Sequence, residues 1–171
     1  YLALEEMGSK EFARKIHLEW EDRYEDFDHK AWVNLLLTTV YQATKNSGPV
    51  TFNAAKELAS ELGAKFHNVE VEEQVNAYVR AAETMIGRKL EWKKDDLALQ
   101  NIQARSRAPM VWLLANLSGS LLLSTSNRSE VALGYATMDG DTAGGLSPVG
   151  GIDKHFLRKW LHWMEKENNS R

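Results

Sequence analysis

Cysteine is absent from the 171 residues. The chain can therefore form no disulfide, use no thiolate nucleophile and build no Cys-based zinc site, and the lack agrees with a reducing compartment, so a cytoplasmic location is expected. Long apolar runs are missing too. The longest, such as 110–114 and 121–123, fall far short of the roughly 20 residues that a membrane span needs. No basic segment followed by an apolar one opens the chain, so no signal peptide and no membrane partner are expected. An excess of positive charge is also lacking. Lys and Arg number 21 against 24 Asp and Glu, a net charge of −3, and they are scattered rather than gathered, which argues against nucleic acid as a partner.

What is present suits one α/β or α+β domain, since 43% hydrophobic and 26% charged residues over this length allow a substantial core. The chain starts at Tyr1 rather than Met and runs out in Glu-Asn-Asn-Ser-Arg straight after an amphipathic segment, so it is expected to be part of a longer polypeptide.

The opening 31 residues are highly charged. Phe12, Ile16 and Trp20 are spaced as one apolar stripe of a helix. We read 1–31 as a helical, charged insertion before the core. Residues 32–40 form a near-continuous apolar, β-branched run, the pattern of a strand buried on both faces of a parallel sheet, and 42–49 read as the loop after it. Thr51 is placed to cap a helix whose inner face is Phe52, Ala55, Leu58, Ala59 and Leu62, with Gly63 as its stop. Residues 64–71 read as a second, parallel strand, completing a βαβ unit. A helix over 72–86 ends at Gly87, a longer one starts near Asp95, and Pro109 predicts a kink or break in it. Residues 120–124 read as a third strand, a short helix follows near Asn127, and 140–151 as a long glycine-rich loop. Asp153 caps a last helix with Phe156, Leu157, Trp160, Leu161 and Met164 on its buried side. The alternation predicts an α/β fold, a doubly wound parallel sheet with helices on both faces.

In such sheets ligands bind beyond the carboxyl ends of the strands. The segment 121–130 carries an apolar strand into Ser124, Thr125, Ser126 and Asn127 at a helix start, where free N–H groups favour an anion. Glu130 can hold Mg²⁺ on phosphates, or it can close a capping box with Asn127. Asn101 and Arg105 share one helical face, able to grip a carboxylate or phosphate or simply to face solvent, while Arg107 points elsewhere. The segment 134–145 lets backbone approach a ligand closely, with Asp141 as its charged group, although turn chemistry explains its Asp-Gly and Gly-Gly pairs equally well. Lys154 lies in the first turn of the last helix, where a cation opposes the dipole, a hint of an anionic partner. The five histidines have no metal-ligand spacing, and His155 and His162 lie seven apart with no carboxylate suitably between them.

Taken in order, Asn-Ile-Gln-Ala-Arg-Ser-Arg, Ser-Thr-Ser-Asn-Arg-Ser-Glu, Gly-Tyr-Ala-Thr-Met-Asp-Gly-Asp-Thr-Ala-Gly-Gly-Leu-Ser-Pro and then Lys154 make the chain resemble the NAD⁺ synthetases from about Leu35 to Trp160. The resemblance implies a Rossmann-like fold of the adenine nucleotide alpha-hydrolase type. It also implies that deamido-NAD⁺ is adenylated by ATP with Mg²⁺ and then amidated by ammonia, releasing AMP and pyrophosphate. It assigns Lys154 and Asp141 to catalysis, Thr125, Lys154, Thr38 and Thr39 to ATP, and Glu130 to Mg²⁺ or the dinucleotide. Asn101, Arg105, Tyr135, Thr137, Met138 and Asp141 would contact deamido-NAD⁺, and a homodimer is implied. The family's Ser-Gly-Gly pyrophosphate loop is not among these residues, so the chain is expected to be an incomplete synthetase domain, inactive alone, with that loop before Tyr1. Met138 and Gly145 replace the lysine and aspartate of ammonia-dependent relatives, and the Gly-Gly form resembles the glutamine-dependent branch, in which a glutaminase domain supplies ammonia. The nitrogen source stays open. A nucleotide-binding or dimerising module without catalysis, and another ATP pyrophosphatase such as a GMP synthetase, are the alternatives.

Overall fold

The computed structural model describes residues 2–168, which fall into two compact units divided between Glu70 and Val71. The first unit holds α1 (Leu2–Lys15), a short 3-10 turn (Asp22–Asp26), α2 (His29–Leu36), β1 (Thr38–Ala43), α3 (Pro49–Leu62) and β2 (Lys65–Glu70). Asp28 caps α2 by accepting the Ala31 N–H at 2.7 Å. This helix occupies most of the run expected to be a strand. Trp32 decides the matter. It is 2% exposed and packs on Phe12, Tyr24 and Phe27 with ring centroids 5.3–5.7 Å apart, so one side of 32–36 is buried against the amino-terminal helix and not within a sheet. Phe12 therefore faces inward as expected. Ile16 instead is exposed just beyond the end of α1, and Trp20 meets the cluster from a non-helical stretch.

β1 and β2 are parallel, with Thr38 opposite Lys65 and Ala43 opposite Glu70, as the βαβ pattern predicts. Gly48, not Thr51, is the N-cap of α3, because Pro49 starts the helix at a position that needs no N–H. Thr51 turns back to donate to the Gly48 carbonyl. Phe52 fills the space over the strands, 5.4 Å from Tyr41 and 6.0 Å from Phe66. Leu58 and Leu62, expected on the inner face, are exposed. Gly63 ends α3 in the left-handed conformation, φ 80°.

The second unit contains α4 (Glu72–Ile86), α5 (Trp92–Arg105), α6 (Ala108–Ser118), α7 (Arg128–Ala132) and α8 (Lys154–Asn168). Gly87 terminates α4 where the sequence predicts it. Pro109 sits in the first turn of α6, so the predicted break is a new helix start after Ser106 and Arg107. The third strand is reduced to a single parallel bridge, Leu123 to Leu146, since Pro148 lacks the N–H that would carry the ladder on and the chain after Leu123 runs straight into α7. Phe156, Trp160, Leu161 and Met164 are exposed rather than buried, and Leu157 is half-buried, since no described residue covers that face of α8. The class is α/β with a parallel sheet and helices. Among the described residues no helix is long and apolar enough to cross a membrane.

Candidate functional site

The second unit gathers the polar segments from 101 to 154 around one loop. Backbone pairing begins it: Ser124 N–H donates to the Leu146 carbonyl and Gly145 N–H to that of Leu122, each at 2.8 Å. This lays 141–147 along the stretch leading to α7. Ser124 and Ser126, both 5% exposed, point their hydroxyls at the Asp141 carbonyl at 3.2 Å. Buried hydroxyls need partners, and these two find the same one. The Asp141 carboxylate then accepts the Thr137 N–H at 3.2 Å.

The other side of the loop meets α5. Arg105 Nε donates to the Met138 carbonyl at 3.0 Å, and Thr137 Oγ donates to Asn101 Oδ1 at 3.1 Å. Asn101 and Arg105, one helical turn apart, thus both hold 137–138. A cavity of about 560 Å³ lies here, lined by Tyr78, Ile102, Arg105, Trp112, Asp139 and Thr142 among others. Its walls are largely apolar, with the Arg105 guanidinium and the Asp139 carboxylate as the charged groups among them. Sequence reading does not single out Tyr78 and Trp112. Trp112 stands in an apolar run that reads as core, and only its exposure, 39%, marks it as a wall.

The third element is α7, five residues long. Asn127 Oδ1 accepts the Glu130 N–H at 3.2 Å and Glu130 Oε2 accepts the Asn127 N–H at 3.3 Å, a reciprocal capping box. The capping alternative for Glu130 is therefore present. It does not exhaust the side chain, because Oε1 also accepts from Lys154 Nζ at 3.2 Å. The Asn127 N–H, and after it the Lys154 ammonium, hold the Glu130 carboxyl below its ordinary value of 4.5. A carboxyl depressed on folding adds stability that is present above the ordinary value and lost as pH falls through the lower folded value. An acid titration of the folded chain is accordingly expected to show α7 loosening only below pH 4.5, and Glu130→Gln, which keeps an acceptor for the cap, is expected to remove that component. An identical acid limb in the variant would contradict the assignment.

Thr125 and Tyr135 are exposed, the latter at 84%, as is Met138. Thr38 and Thr39 belong to the first unit. They open β1 instead of ending it, with Thr39 Oγ donating to the Lys65 carbonyl at 2.9 Å. The carboxyl end of β1 runs into Thr44 and Ser47, which hydrogen-bond one another across a turn.

No group of three or more His, Asp or Glu able to hold a metal occurs among the described residues. A single carboxylate still fits Mg²⁺, which usually keeps waters and takes phosphate oxygens as its other donors. Glu130 offers one such group, paired in this structure with the Lys154 ammonium.

The model of the NAD synthase family matches residues 29–166. The chain belongs to the NAD synthase family. Among its relatives is a glutamine-dependent NAD⁺ synthetase of Aquifex aeolicus, 37% identical over 137 residues, 77% of this chain and 22% of that protein. The rat enzyme of the same description is 34% identical over 155 residues, 82% and 21%. The chain thus spans about a fifth of the length of these relatives. Of solved structures, the glutamine-dependent NAD⁺ synthetase of Cytophaga hutchinsonii matches with TM-score 0.86 and 47% identity over 97% of this chain and 30% of that one. The Acinetobacter baumannii enzyme, solved with adenosine diphosphate, matches with TM-score 0.70 and 26% identity, over 78% of this chain and 24% of that one. The fold is the one these NAD synthase family members share, the adenine nucleotide alpha-hydrolase type.

Proposed function

We propose that these residues form the substrate-binding part of an enzyme that amidates deamido-NAD⁺ to NAD⁺ at the expense of ATP. A carboxylate is a poor electrophile, so one of its oxygens must first become a leaving group. In this reading a nicotinate oxygen attacks the α-phosphorus of ATP and pyrophosphate departs. Ammonia then adds to the acyl carbon, the C–O bond breaks with its electron pair on AMP, and nitrogen loses a proton to leave the amide.

The observation that carries the reading is the meeting of Lys154 with Glu130, 24 residues apart in sequence, beside a loop held by Asn101 and Arg105. A lysine in the first turn of a helix opposes the dipole and needs an anion. Glu130 supplies one, and the phosphates of ATP would supply a better one. Lys154 and Thr125 are assigned to ATP, with Thr38 and Thr39 added by family likeness alone. Glu130 would hold Mg²⁺, whose chemistry there is to neutralise phosphate charge. Arg105 and Asn101, with Tyr135, Thr137 and Met138, would orient deamido-NAD⁺, and Asp141 would keep the loop in place over the reacting carboxylate. The glutamine-dependent names of the relatives support glutamine as the ultimate source of ammonia, and a homodimer is part of the same reading.

Arg105 gives the discriminating test. In the full-length protein Arg105→Ala is expected to raise the KM for deamido-NAD⁺ by about tenfold or more, the range for losing a charge-assisted hydrogen bond, while the KM for ATP moves little. Equal increases for both substrates would remove Arg105 from the dinucleotide site.

A further inference from the structure

The first turn of α7 does more than present Glu130. Arg128 N–H donates to the Ile152 carbonyl at 3.0 Å, and its guanidinium Nη2 bonds Asp153 Oδ2 at the same distance. Ser129 Oγ accepts the Lys154 N–H at 3.0 Å. Three consecutive residues of α7 therefore each grip the start of α8. Asp153 divides its carboxylate between two tasks, since Oδ1 caps α8 through the Phe156 N–H at 2.8 Å while Oδ2 takes the guanidinium.

A lysine side chain is long and flexible, and where its ammonium can reach is set by where its backbone is held. The backbone of Lys154 is held by Ser129, and the residue before it by Arg128. We propose that Ser129 and Arg128 are positioning residues, which fix the start of α8 so that Lys154 can pass from Glu130 to a phosphate by rotating its own side chain. This rests on the assignment of Lys154 to ATP given above. Neither residue touches the ligand. Their effect runs through the Lys154 N–H and the Asp153 carboxylate, and a displacement of about 1 Å at a reacting group can cost about 100-fold in rate.

The test uses the full-length protein and four variants, Ser129→Ala, Ser129→Thr, Arg128→Gln and Lys154→Ala. Calorimetric affinity for ADP, the separate KM values for ATP and deamido-NAD⁺, and Tm are measured for each. Ser129→Ala and Arg128→Gln are expected to weaken ADP and raise the KM for ATP about tenfold, with the KM for deamido-NAD⁺ unchanged. Ser129→Thr, which restores the acceptor, should return both values to those of the parent. Wild-type ADP affinity in Ser129→Ala beside weakened affinity in Lys154→Ala would overturn the positioning role alone. So would a loss of both substrates in step with Tm. Wild-type ADP affinity in Lys154→Ala would overturn the assignment of Lys154 and, with it, the positioning role.

Discussion

Replacing Lys154 by methionine is expected to lower kcat for NAD⁺ formation by about 100- to 1000-fold, the usual result of removing one preorganised group that stabilises developing charge, while Tm stays close to that of the parent. The two effects separate because of exposure. The Lys154 side chain is 62% exposed and its partner Glu130 28%, and ion pairs in contact with water add little to stability. The start of α8 does not depend on the ammonium either, since Asp153 caps it and Ser129 accepts the Lys154 backbone N–H, both of which methionine leaves in place. Glu130→Gln is the companion variant, with the cap kept and the Mg²⁺-dependence of pyrophosphate release weakened. A Lys154→Met protein with undiminished kcat would leave the residue a plain surface partner of Glu130.

Gly144→Ala is expected to be the most damaging small substitution in the glycine loop. A Cβ there would lie 2.6 Å from the Ser124 nitrogen and 3.0 Å from the Leu123 carbonyl carbon. Both are backbone atoms, so no side-chain rotation relieves the contact. The same stretch makes the Ser124 to Leu146 and Gly145 to Leu122 hydrogen bonds, and pushing it away opens them and frees Asp141 from its two buried serines. A cost of about 1–3 kcal/mol is expected for such overpacking, read as a lower Tm, with a raised KM for deamido-NAD⁺ as 137–141 loosen. Gly151→Ala is the control, because nothing lies within 4 Å of a Cβ at that position. Equal Tm values for the two variants would mean that the loop is not anchored through Gly144.

Helix stops and the βαβ unit are legible in the sequence because they depend on local chemistry. Gly63 and Gly87 end their helices where glycine is needed, and strand, helix and strand follow the hydrophobic period. The run 32–40 misleads because Trp32 is apolar for a reason that lies elsewhere in the chain, the aromatic cluster of Phe12, Tyr24 and Phe27. Propensity favours a strand there, and the Asp28 cap with tertiary packing makes a helix. The inner face assigned to α8 fails differently. Its apolar stripe is real, and in this chain no described residue lies over it. At the site, the Asn127–Glu130 spacing announces the capping box, whereas the pairing of Glu130 with Lys154 and of Arg128 with Asp153 spans some 25 residues and follows no local rule. Ser124 and Ser126 look like ordinary strand-end serines until their burial against Asp141 is seen.

The proposed function turns on the acceptor, deamido-NAD⁺, that these residues would bring to ATP. The most direct measurement is AMP release by the full-length protein incubated with ATP, Mg²⁺ and ammonia, with either deamido-NAD⁺ or xanthosine monophosphate as acceptor. AMP formed in step with NAD⁺, and only in the presence of deamido-NAD⁺, is the predicted result. AMP release only with xanthosine monophosphate, or with neither acceptor, would contradict it.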